Sequence, residues 1–176
     1  MATAKKGIKK EFYDVSAPMT STKISLYASS EEELIGKVVI LDLTRNLRGK
    51  SFVVKLKVGK DNEGLIGIPF DLQLEGSYVR RMMRKGADYV EDSFETECKD
   101  GKARMKTFFI TRNKVSRLIR NKIRETAKNY LQGYTKSRNV QEIFTEVMTN
   151  KIQKDLSLKL KKVYPLALCE IRVFSI

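Results

Sequence analysis

Apolar and polar positions alternate from Ser51 to Val58, with Phe52, Val54, Leu56 and Val58 on one side. A period of two predicts a half-buried strand. Gly36 to Leu43 is equally β-rich, and Leu65 to Ile68 makes a further short strand. The turns Asn46-Leu47-Arg48-Gly49 and Asp61-Asn62-Glu63-Gly64 separate them, so the spacing predicts closely connected antiparallel strands. Ahead of them, Glu11 to Pro18 reads as an aromatic and β-branched anchor, and Ser16 to Ser30 as an irregular, partly extended segment. Leu72 to Lys85 is predicted to be a helix that Gly86 ends.

Asp100-Gly101 is a dipeptide that two-residue hairpin loops favour. Centring the loop there sets Lys99 against Lys102, Glu97 against Arg104 and Glu95 against Lys106. The other face then matches Cys98 with Ala103, Thr96 with Met105 and Phe94 with Thr107. Opposite charges on one face and mostly apolar groups on the other make the hairpin self-consistent.

Beyond residue 113 the period lengthens to that of a helix. In Lys114 to Leu131 the side chains of Val115, Leu118, Ile119, Ile123, Ala127 and Tyr130 share one face. Gly133 is expected to close this helix. Asn139 with Glu142 forms a capping box for the next, whose buried stripe is Val140, Ile143, Phe144, Val147 and Met148. Asn150 with Gln153 repeats the pattern for a third helix carrying Ile152, Leu156, Leu160 and Val163, which ends near Tyr164 because Pro165 follows. Leu166 to Phe174 reads as a final strand.

These elements predict an α+β chain: an antiparallel, β-barrel-like core flanked by about four helices. Residues 1–10 form a flexible basic arm and 11–176 a single domain. That domain is β-rich over 11–111 with one helix near 72–85, mainly helical over 113–164, and closed by a strand over 166–174.

Charge changes the picture. The 176 residues carry a net charge of +14, and 41% of them are hydrophobic, enough to build a core. From Lys102 to Arg124 there are nine Lys or Arg and no Asp or Glu. A one-signed block repels itself, and the commonest partner that offsets this is nucleic acid. Arg104 and Lys106 have a second explanation as hairpin partners of Glu97 and Glu95. The helix after them does not: Lys114, Arg117, Arg120, Arg124 and Lys128 fall on the face opposite the apolar one, and only Glu125 interrupts them.

Candidate RNA-binding residues are therefore Lys5, Lys6, Lys9 and Lys10 in the arm, Arg80, Arg81, Arg84 and Lys85 in the first helix, and Arg112, Lys114, Arg117, Arg120, Arg124 and Lys128 around the basic helix. Such side chains hold phosphates and do not read sequence. Tyr78, Tyr89, Tyr130 and Tyr134 lie near these clusters, either as stacking groups or as buried core.

Enzyme chemistry finds little support. There is no histidine, so the usual general base near neutral pH is missing. No metal-ligand spacing and no cofactor motif occur. Gly49-Lys50-Ser51 resembles the end of a phosphate loop, but Thr44 stands where the motif needs glycine. Asp88, Glu91 and Asp92 are the set a Mg²⁺-dependent nuclease would use. Cys98 and Cys169 read as buried, reduced thiols. No apolar run reaches the length of a membrane span, and the basic amphipathic helix leaves a membrane-surface role as a further alternative.

Several segments, in order, resemble the archaeal–eukaryotic small-subunit ribosomal protein family called S-three-a or S-one-e. They are Phe12 to Pro18 after a lysine-rich arm, Leu34 to Val38 with Asp42-Leu43, and Phe70 to Leu72 with Val79 to Lys85. Lys99 to Gly101, Val115 to Ile123, Ile152 to Leu156 and Val163 to Leu166 complete the set. The resemblance implies a structural, non-enzymatic constituent of the small ribosomal subunit with a β-barrel-like core. It implies a place on the platform near the messenger exit, contacts with the 3′ region of small-subunit ribosomal RNA and with neighbouring ribosomal proteins, and proximity to messenger RNA. The expected location is cytoplasmic, in ribosomes, with nucleolar assembly in a eukaryote. The chain resembles a compacted member, with a short arm and without the family's long charged tail. A non-ribosomal RNA-binding or RNA-processing factor is the alternative.

Overall fold

In a computed structural model, residues 9–20, 22–47, 49–61 and 64–176 are described. Among them lie eight strands and five helices, and the chain is α+β as expected. The strands are β1 (Glu11–Ala17), β2 (Thr22–Ala28), β3 (Val38–Asp42), β4 (Phe52–Asp61), β5 (Gly64–Leu74), β6 (Tyr89–Cys98), β7 (Gly101–Thr111) and β8 (Leu166–Ser175). The helices are α1 (Glu31–Leu34), α2 (Gly76–Met82), α3 (Arg117–Thr135), α4 (Val140–Met148) and α5 (Lys151–Leu160). Residues 1–8 of the expected basic arm, Lys5 and Lys6 included, lie outside the described residues.

The strand order β2-β1-β5-β8-β7-β6, with β4 linking β3 to β5, is an open mixed sheet and not the expected antiparallel barrel. β1 runs parallel to β5 through Val15↔Leu65 and Ser16↔Ile66, while β2 and β6 end the path unjoined.

Contacts divide the chain into two compact units. One holds residues up to Leu41 together with Lys55–Pro69; the other holds Asp42–Val54 and Phe70–Ile176. In the first, Val15, Ala28, Leu34, Val58 and Leu65 pack together, with Tyr13, Leu26 and Val39 against them. β2 lies in the segment expected to be irregular. Its Ile24, Leu26 and Ala28 alternate with Lys23, Ser25 and Tyr27, and it pairs antiparallel with β1 along its whole length.

In the second unit, β5 continues through Leu72 and Leu74, where a helix was expected. Asp71↔Ser175, Leu72↔Phe174 and Gln73↔Val173 pair these residues with β8, about a hundred positions away. α2 is accordingly shorter than predicted. The hairpin keeps its predicted faces but not its register. Cys98 pairs with Gly101, Glu97 with Lys102 and Glu95 with Arg104, so the loop residues are Lys99 and Asp100. Gly101 takes φ +152°, a backbone region that side chains disfavour. The loop is also tied to the turn before α4: Lys99 N donates to Arg138 O (3.2 Å), and Val140 N to Asp100 Oδ2 (3.2 Å).

α4 buries Val140, Ile143, Phe144 and Val147, and its capping box forms, with Asn139 N donating to Glu142 Oε2 at 3.2 Å. α5 buries Ile152, Leu156 and Leu160. Its start differs from expectation. Asn150 sits at φ 60° and does not cap with its side chain, because its Oδ1 accepts from the Lys50 ammonium. Gly133 lies inside α3 rather than at its end.

Candidate nucleic-acid interface

Asp88 fixes where the basic segment leaves the sheet. Its carboxylate Oδ2 accepts from Val115 N at 3.0 Å. The Thr111 hydroxyl lies 2.9 Å from Asp88 O and 2.7 Å from Asn113 O. Thr111 is fully buried, so the strand end and the start of α3 are pinned together. Ser116 then caps α3 by accepting from Ile119 N at 3.5 Å. The Asp88 carboxylate is thereby engaged by backbone.

Around this anchor the cations face outward. Arg112, Lys114, Arg117 and Lys128 are exposed, as are Arg80, Arg81, Arg84 and Lys85. Arg84, Lys85 and Arg112 meet around one hollow of about 330 Å³, walled by Ile110, Ala167 and Leu168 and, among the described residues, lined by no carboxylate. Sequence placed Arg112 in a different cluster from Arg84 and Lys85; the fold joins them. Arg80 instead lines a neighbouring hollow with Met83, Tyr89, Glu91 and Arg172. Arg81 lies over the Tyr78 ring, 5.8 Å from its centroid.

Two of the predicted helix cations turn toward the protein. Arg124 Nε donates to Glu91 O (3.1 Å) and its NH1 to Asn121 Oδ1 (3.3 Å). Arg120 is half-buried, with its Nε enclosed and without a hydrogen-bond partner. The apolar face rotates correspondingly: Ile123, Ala127, Leu131 and Thr135 are buried, whereas Leu118 is 81% exposed. In the other unit, Lys9 lies 3.9 Å from Glu11 with both side chains largely exposed, a pair worth little. Lys10 sits 5.8 Å from the centroid of the Tyr27 ring.

The carboxylates weighed as Mg²⁺ ligands have separate tasks. Asp88 holds Val115 N, Glu91 holds Arg172 at 3.0 Å, and Asp92 accepts from Ser93 N at 3.0 Å. Among the described residues no cluster of three or more His, Cys, Asp or Glu is arranged to hold a metal. No helix is long and apolar enough to cross a membrane. Cys98 and Cys169 are free thiols, half-buried rather than buried, and burial pushes both up from the usual thiol range.

Sequence reasoning missed the buried pair of Lys50 and Glu170; nothing local marks a lysine in a turn as a core residue. Burial raises the Glu170 carboxyl against the pull of Lys50 and Gln153.

The comparisons decide the family. The model of the Ribosomal S3Ae family matches residues 2–176, nearly the whole chain. The chain belongs to the Ribosomal S3Ae family. Its members are structural, non-enzymatic ribosomal components, so this chain is an RNA-associated, ribosome-associated protein of translation. Among curated relatives it is similar to small ribosomal subunit protein eS1 of Nanoarchaeum equitans, 25% identical over 94% of this chain and 88% of the relative. The protein of the same name from Desulfurococcus amylolyticus is 22% identical over 92% and 80%. That from Ignicoccus hospitalis is 24% identical over 92% and 81%.

Proposed function

We propose that this Ribosomal S3Ae protein is built into the small ribosomal subunit, as its relatives' names state of them. There it grips small-subunit ribosomal RNA through Arg84, Lys85, Arg112, Lys114, Arg117 and Lys128, with Arg80, Arg81 and the lysines at 9 and 10 as further contacts. The observation that carries this reading is the hollow where Arg84, Lys85 and Arg112 converge with no carboxylate among the described residues lining it. Scattered surface cations need no partner, but convergent ones repel each other until an anion enters. Phosphates do so while releasing counterions. Arg120 and Arg124 serve as supports that position α3. Neighbouring ribosomal proteins, the 3′ region of the RNA and messenger RNA near the exit complete the proposed setting on the platform. Assembly takes place in the nucleolus where a cell has one.

Charge reversal tests this. Lys114→Glu, Arg117→Glu and Lys128→Glu together alter only exposed side chains, so the isolated protein is expected to keep its fold by circular dichroism. It should fail to co-sediment with small subunits. A folded triple variant that is incorporated normally would remove the proposal.

A further inference from the structure

Among the described residues, the first half of β8 has one strand neighbour. Leu168, Cys169 and Glu170 pair with Ile110, Phe109 and Phe108 of β7, while β5 joins the other edge only from Val173 onward. Along that open edge, between β8 and α5, runs a slot of about 500 Å³. Leu158, Leu168, Ala167 and Cys169 make it mainly apolar, and Asn150 and Ser157 bring polar ends. Leu158 is 67% exposed, although Ile152, Leu156 and Leu160 of the same helix are fully buried. Glu170 is the one acidic side chain lining the slot among the described residues, and Lys50 holds it.

Ala167 and Leu168 also wall the cationic hollow of Arg84, Lys85 and Arg112. An apolar slot and a cationic notch thus share one strip of strand between them. A free phosphate would fill the notch and leave the slot empty. A duplex would do the same, since its bases stay stacked inside it.

We infer that the two hollows together receive one unpaired nucleotide of RNA. Its base lies in the slot against Leu158 and Leu168, and its phosphate faces Arg84, Lys85 and Arg112. A nucleobase has apolar faces and a polar edge. The faces suit the leucines, and the edge suits the Asn150 amide nitrogen and the Ser157 hydroxyl. Neither of these groups makes a hydrogen bond to another described residue, because Asn150 spends only its Oδ1, on Lys50. A nucleotide already free in a bulge or loop fits best, because it need not first be pulled from a stack. The inference rests on the RNA-binding reading above and adds what the ligand is.

The test uses the full chain and two short RNAs: a perfect duplex, and the same duplex with one bulged 2-aminopurine. The bulged RNA should bind about tenfold tighter, the factor one seated base supplies, and its fluorescence should change on binding. Leu158→Glu alters an exposed side chain and should abolish that preference while leaving duplex affinity unchanged. Equal affinity for both RNAs overturns the inference and leaves the phosphate-gripping proposal standing; binding to neither overturns both. A Leu158→Glu protein that keeps the preference removes the slot. If that variant keeps the preference yet fails to enter subunits, the slot belongs to a protein neighbour and the inference falls.

Discussion

Lys50 and Glu170 form an ion pair whose side chains are each only 10% exposed. The ammonium also donates to Asn150 Oδ1 and lies 5.0 Å from the centroid of the Phe52 ring. Removing one partner of such a pair typically costs about 3–5 kcal/mol, because the other charge is left buried alone. Where the group left behind is Glu170, its charge can escape by titrating, and this makes the loss depend on pH. In Lys50→Met, Glu170 regains neutrality by taking a proton. Its unfolded pKa is about 4.3 and each pH unit is worth about 1.36 kcal/mol, so the cost is about 3–4 kcal/mol at pH 7 and about 1 kcal/mol at pH 5. The sign follows from a folded pKa raised above the unfolded one: stability is present at low pH and lost as pH rises. In Glu170→Gln the buried Lys50 ammonium is left without its carboxylate. The double variant should recover most of either loss, leaving a coupling of several kcal/mol. Urea unfolding followed by circular dichroism across this pH range measures all four proteins. Additive single losses, or a Lys50→Met loss that does not grow as pH rises, would refute the reasoning.

Asp88→Ala removes the acceptor for Val115 N ahead of α3; a loss of about 0.5–2 kcal/mol in thermal unfolding is expected, as for a missing helix cap. Burial, together with the hydrogen bond to Glu146, pushes the Tyr134 hydroxyl up to about 12. Its proton therefore contributes stability that is intact below pH ~10 and lost as pH rises toward that value; Tyr78 and Tyr130 are also pushed up by burial, so ultraviolet titration should show a late tyrosine component that shrinks in Tyr134→Phe. If the six proposed cations each neutralise a phosphate, the logarithm of RNA affinity should fall against that of salt with a slope of roughly −4 to −5, and filter binding at several salt concentrations would expose a flat response.

Local periodicity was enough to find β4 and the buried stripes of α4 and α5, because each buries one face at its own period; β7 was found from the Asp100-Gly101 turn, since its second half is buried on both faces. The hairpin faces were legible for the same reason, since a change of register by whole pairs leaves inside and outside unaltered. The register itself was not, because Lys99 and Asp100 are held by residues near 140. The tail of β5 was read as helix because its partner strand lies about a hundred positions away. β2 was missed although Ile24, Leu26 and Ala28 alternate correctly; small and polar neighbours masked the period. The cationic residues were all visible, yet their meeting depends on α2 and β7 converging beside β8. Leu118 was placed inside by spacing alone, but α3 docks through its later turns, so its first turn stays in solvent.

β8 lies between β5 and β7, yet it is made after every element it joins. Emerging from the translating ribosome, β5 and β7 must wait with unpaired edges while three helices are synthesised between β7 and the strand that bridges them. At about 5–20 residues per second the delay from Thr111 to Ser175 is several seconds. Over that interval the half-made second unit presents two sticky borders, so this ribosomal component is itself a natural client for whatever shelters nascent chains.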